Sequence, residues 1–114
     1  MRENIVKLKS FEFAKDVVRC TKYLEEKKEF VMSRQLLRSG TAIGALIREA
    51  EMAESKKDFI HKMHIALKEA NETMYWIELL ISTDYLSKEQ GQSLYDKSEE
   101  LVKLLVRIVK TAKS

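Results

Sequence analysis

The sequence has no proline and only three glycines among its 114 residues. Because these two residues interrupt helices most strongly, nothing inside the chain is a strong helix breaker, and an all-helical fold is predicted. A single cysteine, Cys20, excludes an internal disulfide. No apolar run approaches the roughly 20 residues that a membrane helix needs, and the N-terminus lacks an apolar signal segment. We therefore expect a cytoplasmic protein without a membrane partner.

An excess of one charge is also lacking, since the formal net charge is only +3. This balance permits contact with nucleic acid but does not indicate it. The chain is 45% hydrophobic and 34% charged, which is typical of a globular protein and excludes a disordered one. The length fits one domain over residues 1–114.

Apolar residues recur at helical spacing in four blocks, which predict helices over 10–26, 30–53, 56–82 and 87–112. Ser10, Ser55 and Ser87 are the predicted N-caps of the first, third and fourth helices. Short connections favour antiparallel neighbours, so we predict an all-α, up-down-up-down four-helix bundle. The predicted core face of the first helix comprises Phe11, Ala14, Val17, Val18, Thr21 and Leu24.

Two of the glycines, Gly40 and Gly44, fall within the predicted second helix. Each costs about 1 kcal/mol of helix stability relative to alanine. Close packing against a neighbouring backbone would compensate for this cost. The alternative is a local kink near residues 39–41.

Residue types for chemistry are scarce. The two histidines, His61 and His64, lie on one predicted helix without a glutamate three residues before either, which excludes the di-metal carboxylate site of helical bundles. The pair could hold a single ion, but an exposed pair without metal is favoured. Cys20 has no histidine near it in sequence and is predicted to be a buried structural thiol. With no phosphate-binding glycine loop either, we predict no metal, no cofactor and no enzyme.

The predicted second and fourth helices each carry a stripe of three basic residues. At about 100° per residue the first stripe occupies one quadrant. Such stripes either contact phosphates or form ion pairs with Glu49, Glu69 or Glu72, and the sequence leaves both possibilities open. The candidate nucleic-acid-binding residues are Arg34, Arg38, Arg48, Lys103, Arg107 and Lys110.

The predicted third helix has a second apolar strip of Ile65, Trp76, Leu79 and Leu80 beside its main stripe. A strip wider than one bundle seam indicates a subunit interface. We predict that Ile65, Trp76 and Leu79 form an oligomer interface. The alternative is that Trp76 closes the core of a monomer.

The run QLLRSGTAIGALIREA over residues 35–50, with residues 59–60, 65–70 and 72–76, resembles the bacterial four helix bundle protein family. Founding members of that family are encoded within intervening sequences of large-subunit ribosomal RNA genes. The chain departs from the family at Ala42 and Leu46, where a serine and an asparagine are expected, and at Arg48, which replaces a small residue. These departures place a role for that asparagine in doubt here.

The resemblance implies a homo-oligomeric bundle, with pentameric rings known in the family, and no enzymatic activity. In a related branch the protein is the accessory protein of diversity-generating retroelements, where a basic pentamer engages nucleic acid and a reverse transcriptase. Our first hypothesis is an oligomer that binds RNA or other nucleic acid through a composite basic surface. The second is a protein-interaction scaffold, or an accessory subunit for a nucleic-acid enzyme such as a reverse transcriptase.

Overall fold

A computed structural model describes the backbone of residues 2–114 and the side chains from Asn4 onward. The helices are α1 (Arg2–Glu26), α2 (Val31–Glu51), α3 (Lys56–Ser82) and α4 (Lys88–Lys113), and this part of the chain contains no strand. Each helix packs against the next, and α4 also packs against α1, whereas α2 and α4 do not contact each other. The predicted antiparallel four-helix bundle is therefore confirmed, with extents of 44 × 20 × 18 Å.

The buried residues of α3 and α4 alternate in steps of three and four. A mean step of 3.5 residues keeps one seam of each helix against its neighbours, as in a left-handed coiled coil. Leu80 belongs to this core and is fully buried, so its assignment to the second apolar strip is wrong. The seams comprise Met63, Ala66, Ala70, Thr73, Ile77 and Leu80 in α3, and Gly91, Leu94, Ser98, Leu101, Leu105 and Ile108 in α4.

Helix α1 begins eight residues before the predicted start. Ser10 is not its N-cap; it is buried inside the helix, where its hydroxyl donates to the Lys7 carbonyl at 3.0 Å. Phe11, predicted in the core, is 47% exposed, and Phe13 is buried in its place. Helix α1 extends beyond Ser10 because Val6 is fully buried by its neighbours. Tertiary packing of this kind extends a helix beyond a local capping signal.

Helix α2 is continuous through both glycines. A Cβ added at Gly40 would lie 2.8 Å from a methyl group of Val17, which shows that the close packing of α1 and α2 requires glycine there. The first turn of α2 is stabilised from outside the helix, because the buried Glu29 carboxylate accepts a hydrogen bond from the Ser33 amide at 2.8 Å.

The caps of the last two helices are those predicted. The Ser55 hydroxyl accepts from the Asp58 amide at 3.0 Å, and Ser87 with Gln90 forms a reciprocal capping box. None of the described helices combines the length and apolarity needed to cross a bilayer.

Helices α1 and α3 share one kind of C-terminal cap. Lys28 and Asp84 have φ values of 64° and 66°, the left-handed conformation of a Schellman motif. After α1, the Glu29 amide donates to the Leu24 carbonyl and the Lys28 amide to the Glu25 carbonyl. The same pair of bonds follows α3, so two non-glycine residues hold a position that glycine prefers.

Candidate nucleic-acid interface

Arg38, in the middle of the α2 stripe, is engaged in ion pairs with α3. One guanidinium nitrogen lies 3.1 Å from Glu69 Oε1, and another contacts Glu72 Oε2. The Trp76 indole N–H donates to the same Glu72 oxygen at 2.9 Å. The hydrogen bond to Glu72 raises the pKa of Arg38, while the bonds from Trp76 and Arg38 lower the pKa of Glu72. Two carboxylates therefore compensate the charge of Arg38.

Arg48 turns to the other side of α2, towards α1. Its guanidinium carbon lies 5.1 Å from the centroid of the Phe11 ring, and the Lys15 ammonium lies 5.4 Å from the same centroid. These are cation–π distances, and they explain how Phe11 remains on the surface. Arg34 is exposed and has no ion-pair partner among the described side chains. The α2 stripe thus contains one free, one ion-paired and one ring-stacked arginine.

The α4 stripe is more open. Lys103 is 3.9 Å from Glu99, a distance at the limit of an ion pair; Lys103 is exposed and Glu99 is partly buried. Arg107 and Lys110 are exposed and pair with none of the side chains that the structure describes. Helix α4 has no acidic residue after Glu100, and Glu100 is itself bonded to Lys9 at 2.9 Å. Arg107 and Lys110 can therefore accept an external anion without breaking an internal pair, and Lys103 would give up only its long contact with Glu99.

The two predicted stripes are not brought together within one chain. Helices α2 and α4 occupy diagonal corners of the bundle, so their outward faces point to opposite sides. Six residues in a single composite surface would require more than one subunit. The sequence could not reveal this, because a periodic pattern places residues on a face but does not place one face relative to another.

The predicted oligomer face is divided in two by the Arg38 cluster. Ile65, Trp76 and Leu79 are all half-buried, but Glu69 and Glu72 lie between the first two on the same side of α3. Their carboxylates are bonded to Arg38, so the apolar strip is interrupted.

Val31 of α2, which was not among the predicted interface residues, extends the part of that strip that contains Trp76 and Leu79. It is 71% exposed. A hydrogen bond of 2.9 Å between the Thr73 and Ser39 hydroxyls fixes the α2–α3 register and brings Val31 near the level of Leu79. The Trp76 ring also packs edge-on against Tyr75, with a centroid separation of 5.1 Å. Together, Val31, Trp76 and Leu79 form what we call the upper apolar face.

The groups considered for chemistry remain apart. His61 and His64 are exposed, and no three His, Cys, Asp or Glu side chains of the described residues are placed to hold a metal ion. Cys20 is partly buried at the edge of the core, beside a cleft of about 310 Å³ between α1 and α4. Burial raises the pKa of the Cys20 thiol to about 11, so the thiolate needed for nucleophilic chemistry is disfavoured.

Residues 2–107 match the family described as 23S rRNA-intervening sequence protein. The chain belongs to this family. It is also similar to a crystallised protein of unknown function from the S23 ribosomal protein family of Bacteroides thetaiotaomicron, with 59% identity and a TM-score of 0.94. That match covers 96% of this chain and 99% of the other. No curated protein matches the chain. The family predicted from residues 35–76 is thereby confirmed.

Proposed function

We propose that this member of the 23S rRNA-intervening sequence protein family is a non-enzymatic, self-associating bundle of the cytoplasm that binds RNA or DNA. The observation that carries the proposal is the α4 stripe, where Arg107 and Lys110 are exposed and have no acidic partner among the described side chains. Exposed, unpaired cations gain the most binding free energy from contact with phosphate, because binding releases counterions without breaking an existing ion pair.

The structure changes which of the predicted residues we assign to binding. Arg38 would have to leave Glu69 and Glu72, and Arg48 would have to leave the Phe11 ring. Arg34 is free but lies on α2, which does not contact α4. We therefore assign phosphate contact to the α4 residues Lys103, Arg107 and Lys110.

Self-association strengthens a small patch of this kind. Three cations per chain give modest affinity, but several copies in one assembly act on the same polyanion at a high effective concentration. The upper apolar face supports such assembly, since exposed apolar side chains beside a tryptophan are typical of subunit contacts. Ile65, below the Arg38 cluster, would extend the contact along α3.

The test is binding of a structured RNA to the full-length protein across a salt series. We expect the logarithm of the binding constant to fall linearly with the logarithm of salt concentration, and Arg107→Gln/Lys110→Gln to reduce that slope by about two. The matched control, Lys22→Gln/Lys88→Gln, removes the same charge from exposed positions towards the opposite end of the bundle and leaves the slope unchanged. Negligible affinity at low salt would refute the proposal.

The protein-scaffold hypothesis predicts a different outcome. In that case the protein captures a partner from a native extract, and nuclease treatment leaves the capture intact. Loss of the partner on nuclease treatment is expected if nucleic acid bridges the two proteins.

A further inference from the structure

The outward face of α3 carries a second basic row, Lys57, His61, His64 and Lys68, which we call the α3 row. Its members are separated by four, three and four residues, which keeps them on one side of the helix. All four are exposed. Glu69 and Glu72, by contrast, point to the α2 side, where they bind Arg38.

The α3 row forms no ion pair in the described structure. Asp58 is the one acid in the first half of α3, and its carboxylate accepts from the Glu54 amide at 3.3 Å, at the start of the helix. The nearby cation Lys62 points elsewhere and pairs with Glu49 of α2 at 3.0 Å. No ion pair to Lys57 or Lys68 occurs among the described side chains.

The α3 row lies beside the α4 stripe. Two contacts set the antiparallel register of these neighbouring helices: the Ile81 side chain packs against Gly91, and Glu78 lies beside the Tyr95 hydroxyl. Counting from these contacts places Lys68 level with Lys103, His64 with Arg107, and His61 with Lys110. The two rows therefore run side by side along the same half of the bundle.

The two rows present hydrogen-bond donors at regular intervals. Within a row, a step of three or four residues advances about 4.5–6 Å along the helix, and packed helices lie about 8–10 Å apart. Half-buried or exposed apolar side chains, Leu67, Val102 and Val106, lie between the rows. The ammonium and guanidinium groups of both rows donate hydrogen bonds but accept none, which matches phosphate oxygens.

We propose that the α3 row and the α4 stripe form one continuous face that binds the phosphate backbone of a nucleic-acid duplex. The inference deepens the proposed function and rests on it. A duplex is favoured over a single strand because unpaired bases are held mainly by aromatic stacking, and the members of the two rows include no phenylalanine, tyrosine or tryptophan. The exposed Tyr75 lies beyond Lys68 on the same side of α3, but its ring is packed edge-on against Trp76. Backbone contacts position a protein without reading sequence, so binding is expected to be tolerant of sequence.

The experiment uses the full-length protein and a short fluorescent RNA duplex, with anisotropy measured across a salt series. We expect Lys57→Gln/Lys68→Gln to lower the salt slope by about two, as each lost phosphate contact removes about 0.9. Because electrostatic binding vanishes near 1 M salt, that change corresponds to a loss of about 60-fold in affinity at about 0.1 M. Lys22→Gln/Lys88→Gln is the control and binds like the unmodified protein.

The possible outcomes separate this inference from the proposed function. If only Arg107→Gln/Lys110→Gln weakens binding, the α3 row is not part of the site, although the protein still binds nucleic acid. If the unmodified protein shows no salt-dependent binding, both proposals fail. An equal loss of affinity in the Lys22→Gln/Lys88→Gln control would show that net charge alone changes the affinity, and would overturn the proposed binding face. Binding to a DNA duplex of the same sequence tests whether the phosphates are those of RNA or of DNA. A clear preference for a single strand over a duplex would overturn duplex recognition.

Discussion

Arg38 and Arg48 show how residues of one type on one stripe acquire different roles. Both lie on the outward face of α2, yet Arg38 bonds two carboxylates of α3 and Arg48 stacks on a ring of α1. The sequence indicates Glu69 and Glu72 as possible ion-pair partners of the α2 stripe. It could not select Arg38 as the arginine that pairs, because that choice depends on which side of α2 each side chain turns to.

At the scale of single residues, Cys20 leads to a prediction on reactivity. Burial raises its pKa from 9.0 to about 11, so the thiolate fraction near pH 8 is about 100-fold lower than for an unperturbed thiol. We expect iodoacetamide at pH 8 to alkylate the folded protein about 100-fold more slowly than the protein in denaturant, as measured by mass spectrometry.

The pH profile provides the control for Cys20. Alkylation of the folded protein should continue to rise as pH increases towards 11, whereas alkylation of the denatured protein levels off above about pH 9. Equal rates in the folded and denatured states at pH 8 would contradict the prediction and would make Cys20 an accessible, reactive thiol.

At the scale of helices, local signals predicted some boundaries and failed at others. The start of α4 was nearly correct because Ser87 and Gln90 bond each other's backbone amides, an arrangement encoded in adjacent residues. The start of α1 was wrong because Ser10 looks like a cap locally, while the burial of Val6 depends on the other helices. Boundaries set by side-chain capping are thus readable from sequence, and those set by packing are not.

The left-handed caps lead to a stability prediction. A non-glycine residue in this conformation costs about 1–2 kcal/mol, and less for aspartate than for lysine. Glycine removes that cost but gains entropy in the unfolded chain. We expect Lys28→Gly to raise the free energy of unfolding by about 0.5–1 kcal/mol, and Asp84→Gly to raise it by less. Urea unfolding at one fixed protein concentration measures both.

A glycine inside a helix is the matched control for these caps. Lys22 is exposed within α1, so Lys22→Gly should lower the free energy of unfolding by about 1 kcal/mol. If Lys28→Gly lowered it as well, the left-handed geometry at the end of α1 would not be a source of strain.

For the whole molecule, the sequence was sufficient for the fold and insufficient for the site. Four periodic blocks joined by short connections leave few arrangements besides an antiparallel bundle. The basic residues were found by the same periodicity, but the diagonal positions of α2 and α4 separate the two predicted stripes. The adjacent pair, α3 and α4, carries exposed cations, Lys57, Lys68, Arg107 and Lys110, that form no ion pair among the described side chains. The sequence pattern favours an exposed pair for the histidines of α3 but does not place them beside the basic residues of α4.

The last prediction concerns the assembly. Light scattering on a sizing column should give a mass of two or more 13.3 kDa chains. The reason is that Val31 and Leu79 of the upper apolar face are in contact with water in the single chain, and association would bury them. Val31→Glu/Leu79→Glu places charges there and should shift the mass towards the monomer, since like charges brought together in a desolvated contact oppose association. Met52→Glu, at an 83% exposed position near the opposite end of the bundle, is the control and should keep the assembly intact. If the unmodified protein is a monomer, self-association is removed from the proposed function and the binding face acts as a single copy. If the protein is an oligomer and Val31→Glu/Leu79→Glu leaves its mass unchanged, the subunit contact lies on another face.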